Sequence, residues 1–217
     1  MESIFKLLLV LHIAGGSIGL FAGTINIIRK KGDRGHKLFG FFFQIGMLSA
    51  GSSALALSLI HPNYFLFVVG VFTLYLLGSG SQYILNYKLK KTKNKFGFAI
   101  SASMLIAGVG LTLTGGKLLF NENNFGLVMI AFGVIGLLMV RADLIQYKAA
   151  NFDGNKLLSL HLQRMTAAYI AALTALLVVN ARHLPLQVPP VFIWLFPTVI
   201  LTPLIIKWSR KHSKEKK

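Results

Sequence analysis

Residues 11–44 read LHIAGGSIGLFAGTINIIRKKGDRGHKLFGFFFQ, and this stretch decides the fold. An apolar run carrying only small and weakly polar breaks leads into a short basic loop, and a second apolar run follows at once. In the first run His12, Gly15, Gly19 and Gly23 recur at spacings of three and four, so a helix places them on one face. Small residues at that spacing let a second helix approach closely in lipid, where packing replaces the hydrophobic effect as the driving force. The reading predicts a glycine-faced membrane helix with His12 turned into a helix contact. The second run repeats the pattern, with His36, Gly40, Gln44, Met47 and Gly51 along one stripe.

Composition supports a membrane bundle. The chain of 217 residues is 54% hydrophobic and only 13% charged, about half the charge of an average soluble domain. Its mean hydropathy is +0.65. Seven segments are long enough to cross a bilayer of about 30 Å at 1.5 Å per residue: near 4–28, 36–60, 65–88, 96–119, 125–148, 156–182 and 191–209. The expected fold is therefore all-α, one seven-helix transmembrane domain over 1–209 with a basic tail over 210–217.

The formal charge of +17 does not point to nucleic acid, because the basic residues sit in short blocks between apolar segments. Their placement reads as topology and as contact with anionic lipid headgroups. Arg29, Lys30, Lys31, Arg34 and Lys37 fill the first loop, Lys88 to Lys95 the third, Lys148 and Lys156 flank the fifth, and the tail reads RKHSKEKK. The second loop, His61-Pro62-Asn63-Tyr64, has no Lys or Arg, and the fourth carries only Glu122. The positive-inside rule then predicts an external N-terminus and a cytoplasmic C-terminus. No cysteine is present, which excludes disulfides, thiolate metal sites and cysteine nucleophiles. Glu2 and the lack of an A-x-A-like site argue against a cleaved leader.

Depth follows from orientation. His36 opens helix 2 and His161 lies early in helix 6, both at the cytoplasmic end. Gln82, Arg141, Asp143 and Gln146, with Gln44 deeper in helix 2, form an expected inner polar cluster. His12 lies about 25 Å from that end, in the outer half. Helix 6 carries His161, Arg164, Met165, Ala168, Ala172 and Ala175 on one stripe.

The motifs LHIAGGSIGLFAG, KGDRGHKLFG and HLQRMTAAY resemble those of a family of predicted bacterial multi-helix membrane proteins of unknown function. The matching positions are His12, Gly16, His36, Lys37, Gly40, His161, Arg164 and Met165. The resemblance implies a multi-pass protein of the bacterial inner membrane and brings no reaction with it. Gln163-Arg164 stands where such proteins often carry tryptophan before the methionine.

Three functional readings compete. Two neutral imidazoles from different helices at similar depth, His36 and His161, can ligate a haem iron axially in a helical bundle. Arg34, Lys37 and Arg164 would then pair with the propionates, and His12 is a further candidate cofactor contact. This predicts haem b with a redox or assembly role, and a membrane redox partner or a second copy of the chain as partner. A small transporter or channel using the inner polar cluster is the second reading. A membrane metal-dependent hydrolase is the third, with His36, His161 and Asp143 as ligands. Six acidic residues in the whole chain leave little material for a general base. The bland alternative is that both inner histidines simply hydrogen-bond carbonyls near the headgroups.

Overall fold

A computed structural model describes residues 2–183 and 189–214, with the backbone only at 190, 191 and 211–214. The chain forms α1 (Glu2–Ile28), α2 (Arg34–Ile60), α3 (Tyr64–Leu89), α4 (Lys95–Phe120), α5 (Phe125–Tyr147), α6 (Gly154–Val179) and α7 (Pro190–Lys214). A single 3-10 turn, Ala181–His183, follows α6. All seven helices contain a stretch long and apolar enough to cross a membrane. The helix ends fall within three residues of the expected spans except at the end of α7. That helix continues to Lys214, through the first five residues of the basic tail. Neither Gly nor Pro interrupts those residues, and cations suit the negative end of a helix dipole. Residues 215–217 of the tail lie outside the described residues.

The loops locate the helix starts chemically. Asp33 accepts the His36 N–H at 2.5 Å, Asn63 that of Leu66 at 3.0 Å, Asn94 that of Gly97 at 2.6 Å, and Asp153 that of Lys156 at 3.1 Å. Each satisfies an amide that the first turn of a helix leaves without a partner, at about 1 kcal/mol per cap. Arg29 pairs with Asp33 at 3.1 Å across the same loop. The caps and the Arg29 pair hold the Asp33 carboxyl below the ordinary carboxylate range, the His36 amide contributing most. The Lys31 ammonium closes the far end of α1, donating to the Asn26 carbonyl at 2.5 Å and the Ile27 carbonyl at 3.0 Å. It also stands 3.9 Å from the ring centroid of Trp208, and burial lowers its pKa to about 8.

The chain divides into two compact units. The first comprises the residues up to Leu77 together with those from Leu162 onward; the second is Gly78–His161. In the first unit α1 lies antiparallel to α2 along its glycine face. A Cβ built on Gly15 would stand 2.7 Å from the Gly46 carbonyl oxygen, and one on Gly19 would stand 2.7 Å from the Met47 sulfur. Gly23 faces the Tyr169 ring of α6 as closely, and its Cβ would also meet Phe43 at 3.0 Å. Gly15, Gly19 and Gly23 are all buried. His12 is half-buried on the same face, bonded to the Ala50 carbonyl of α2 at 2.9 Å.

In the second unit α4 and α5 meet through a second set of glycines that the opening motif does not foreshadow. Gly108 lies against Gly133, Gly115 against Gly126, and Met104 fills the space that Gly136 leaves. Side chains would hold these backbones apart. Their absence brings α4 and α5 into contact over most of their length, and that contact fixes where the polar ends of the two helices meet.

Candidate functional site

The polar site lies wholly in the second unit, where the last turns of α3 and α5 meet the first turns of α4. Helical spacing gathers it: Gln82, Tyr83 and Asn86 come from α3, Gly97 and Ser101 from α4, and Asp143, Gln146 and Tyr147 from α5. All eight are buried, Gln82, Tyr83, Asn86 and Asp143 to 0% exposure. Gly97 permits the approach. A Cβ there would stand 2.5 Å from the Gln82 side-chain oxygen and 2.8 Å from the Tyr147 hydroxyl.

Asp143 is the centre. Its Oδ1 accepts the Tyr83 hydroxyl at 2.5 Å and its Oδ2 accepts the Ser101 hydroxyl at 3.1 Å. The Tyr83 contact is the shorter of the two, and each carboxylate oxygen has one hydroxyl donor. The donors then run in one direction. Ser101 has committed its only proton, so Tyr147 must donate to Ser101 Oγ at 3.2 Å. Gln82 Nε2 donates to the Tyr147 oxygen at 3.2 Å, Asn86 Nδ2 to Gln82 Oε1 at 3.0 Å, and Asn94 Nδ2 to Asn86 Oδ1 at 2.6 Å. The Gly97 amide closes the series on Asn94. From the cap of α4 to Asp143 every proton points toward the carboxylate, an arrangement in which successive bonds polarise and strengthen one another.

Gln146 stands apart from this series. It is one turn further along α5 on the same face as Asp143, 1% exposed, and neither Oε1 nor Nε2 has a hydrogen-bond partner among the described residues. A buried amide without partners costs roughly 1–3 kcal/mol per group, so its retention calls for a reason.

The other expected site residues are dispersed. Arg141 is exposed, two residues from Asp143 and on the far side of α5 from it, so it takes no part in the buried network. Gln44 is half-buried on α2 in the first unit. His36 opens α2 in the first unit, its backbone amide on Asp33 and its carbonyl accepting from Asn26 at 3.2 Å. His161 ends the second unit on α6, and its Nδ1 stands 2.8 Å from the Gly80 carbonyl of α3. A carbonyl can only accept, so Nδ1 carries the proton and Nε2 is the acceptor. The same argument fixes the tautomer of His12. Arg164 is buried, its guanidinium carbon 5.6 Å from the Tyr75 ring centroid. Among the described residues no three His, Asp or Glu side chains gather closely enough to hold a metal ion.

Sequence reasoning singled out Gln82, Asp143 and Gln146 and did not single out Tyr83 or Ser101. Tyr83 and Ser101 look like ordinary residues of apolar spans. The available signal was indirect: a lone aspartate in an apolar helix needs donors, and these had to come from positions one turn from other polar residues. Comparison with known proteins adds no assignment: no family model, no curated protein and no solved structure matches the chain.

Proposed function

We propose that this chain is a small multi-pass transporter of the bacterial inner membrane, in which protonation of Asp143 is the elementary step. One observation carries the reading: a fully buried carboxylate held by two hydroxyls in a helix apolar enough to span a bilayer. Ionisable groups inside a membrane are expensive to keep, and proton relays are among their recurrent uses. Hydroxyls suit a carboxylate that changes state, because an O–H can rotate from donor to acceptor when the acid forms. The exposed apolar side chains that cover the helices, such as Ile13, Phe21, Leu113 and Val199, then face lipid.

The basic loops support a cytoplasmic position for the site, with the N-terminus outside and the C-terminus inside. A topology reporter fused after Lys217 is expected to read cytoplasmic and one inserted at Asn63 external. Agreement of both fusions on the same side would remove a span and with it this orientation.

The transport reading is tested in proteoliposomes carrying a trapped pH dye. An imposed pH gradient should dissipate faster with the protein than with empty vesicles, and Asp143→Asn should return the rate to that of empty vesicles. An active Asp143→Asn variant would end the reading.

A haem b protein is the second reading, favoured by the His161 tautomer. With Nδ1–H committed to Gly80, Nε2 is the free acceptor of the kind that second-shell bonding prepares for an axial ligand. Haem would supply one-electron redox chemistry, and His161 is the residue here that could hold it. The visible spectrum of the purified protein decides this. A Soret band lost in His161→Ala but kept in His12→Ala supports haem, and a colourless preparation from haem-replete cells excludes it.

A further inference from the structure

The series of bonds ending at Asp143 has a chemical consequence for how a proton can arrive. Hydroxyls and carboxylates pass protons on, since each can accept one proton while releasing another. A carboxamide does not, because its N–H and C=O are fixed ends and handing a proton through would require the imidic tautomer. Two carboxamides, Gln82 and Asn86, separate Tyr147 from the α4 cap, and Asn94 forms the cap itself. The series of bonds through Gln82, Asn86 and Asn94 therefore holds Tyr147 and Ser101 in place without conducting a proton to Asp143.

Gln146 supplies the other direction. It lies about 4.5 Å further than Asp143 along α5 toward Lys148 and the basic loop. Its buried amide presents one acceptor and two donors that no described residue meets. A bare cation would satisfy Oε1 and leave Nε2 without an acceptor. The complementary group must both donate and accept, which a water molecule does.

We propose that Gln146 holds a buried water that hands protons to Asp143 from the cytoplasmic side. This rests on the reading of Asp143 as the protonated group. In the step, a hydronium at the loop gives its proton to the water at Gln146, and that water releases another of its protons to a carboxylate oxygen of Asp143. The water is restored, the carboxylate becomes a neutral acid, and no electrons move. The titratable groups bonded to this acceptor or to its donors are Tyr83 on α3 and Tyr147 on α5 itself, while His161 on α6 has its Nδ1–H committed to Gly80. From α4 comes only the hydroxyl of Ser101. Arg141 and Lys148 are exposed and face away from the buried network.

The test is a pH jump followed by time-resolved infrared spectroscopy on the full chain in lipid nanodiscs. The band read is the carboxylic-acid C=O stretch, assigned to Asp143 by its loss in Asp143→Asn. Gln146→Met keeps the length of the side chain and removes both polar ends, and the band should then rise about tenfold more slowly or worse. Gln146→Ser leaves room and a hydroxyl for water, and should stay within about threefold of the unsubstituted protein. Gln146→Leu repeats the apolar exchange with a different shape, should Gln146→Met fail to fold. Unchanged kinetics in the apolar variants overturn the water path and leave the Asp143 reading standing. Equal slowing in Gln146→Ser and Gln146→Met makes Gln146 a packing residue and overturns it as well. If the unsubstituted protein shows no acid band at any pH, the Asp143 reading itself falls and takes the water path with it.

Discussion

Gly115→Leu is expected to unfold the second unit, while Gly116→Leu, its neighbour in sequence, is expected to be tolerated. A Cβ on Gly115 would stand 2.7 Å from the Gly126 carbonyl oxygen and 3.0 Å from the Ile130 amide nitrogen, whereas one on Gly116 meets nothing within 4 Å. Backbone atoms of a neighbouring helix cannot swing aside as a flexible side chain can. The two helices must separate, and every contact between them loosens together. Overpacking of this kind costs about 3 kcal/mol or more, a large part of the stability of a domain this size. At Gly116 the exchange should fall within about 0.5 kcal/mol, as surface substitutions do, because the side chain enters open space. Unfolding in bicelles, followed by steric trapping or thermal denaturation, reads both. Gly15→Leu against Gly16→Leu repeats the comparison on α1, where the added Cβ would meet Gly46 oxygen at 2.7 Å in one case and only Ala50 Cβ at 3.9 Å in the other. If Gly115→Leu and Gly116→Leu behave alike, the glycine contact between α4 and α5 is wrong.

The same pair of residues shows what sequence can and cannot tell. The stripe Gly15, Gly19, Gly23 is legible because it repeats at helical spacing with few other glycines beside it. In α4 the glycines at 108, 110, 115 and 116 cover more than one face, and periodicity does not choose between them. The choice is made by the partner helix, where Gly126, Gly133 and Gly136 fall opposite one set and not the other. The spans themselves were legible for a simpler reason, since length and hydropathy are local properties. The polar site was half legible: Asp143 and Gln146 stand out in an apolar segment, but the hydroxyls bonded to Asp143 lie 42 and 60 residues away and carry no local mark. Arg141 shows how far helical spacing alone can go: it stands two residues from Asp143, and the turn of the helix keeps them on different sides.

The contact between Tyr83 and Asp143 should register as a strong coupling. Tyr83→Phe removes one hydroxyl and changes little else, leaving a buried carboxylate short of its nearest donor. Hydrogen bonds to charged groups contribute about 1.5–3 kcal/mol, and losing one at a fully buried carboxylate falls in that range. Asp143→Leu removes the acceptor instead and takes from the Tyr83 hydroxyl its bond to the carboxylate, at roughly 1–3 kcal/mol, while Ser101 keeps its contact with Tyr147. In the double variant the tyrosine hydroxyl is already gone, so its stranding cost vanishes. The two single losses should therefore exceed the double loss by about 1–3 kcal/mol, the range found for residues in direct contact. Ser101→Ala paired with Asp143→Leu should couple more weakly, since that bond is 3.1 Å against 2.5 Å and Ser101 is shared with Tyr147. The cycle is read from unfolding free energies in bicelles, independently of any transport. Additive losses for Tyr83 and Asp143 would mean that the hydroxyl and carboxylate are neighbours without a bond. The donors would then reach Asp143 through Ser101 alone, and Tyr83 would have no part in the relay.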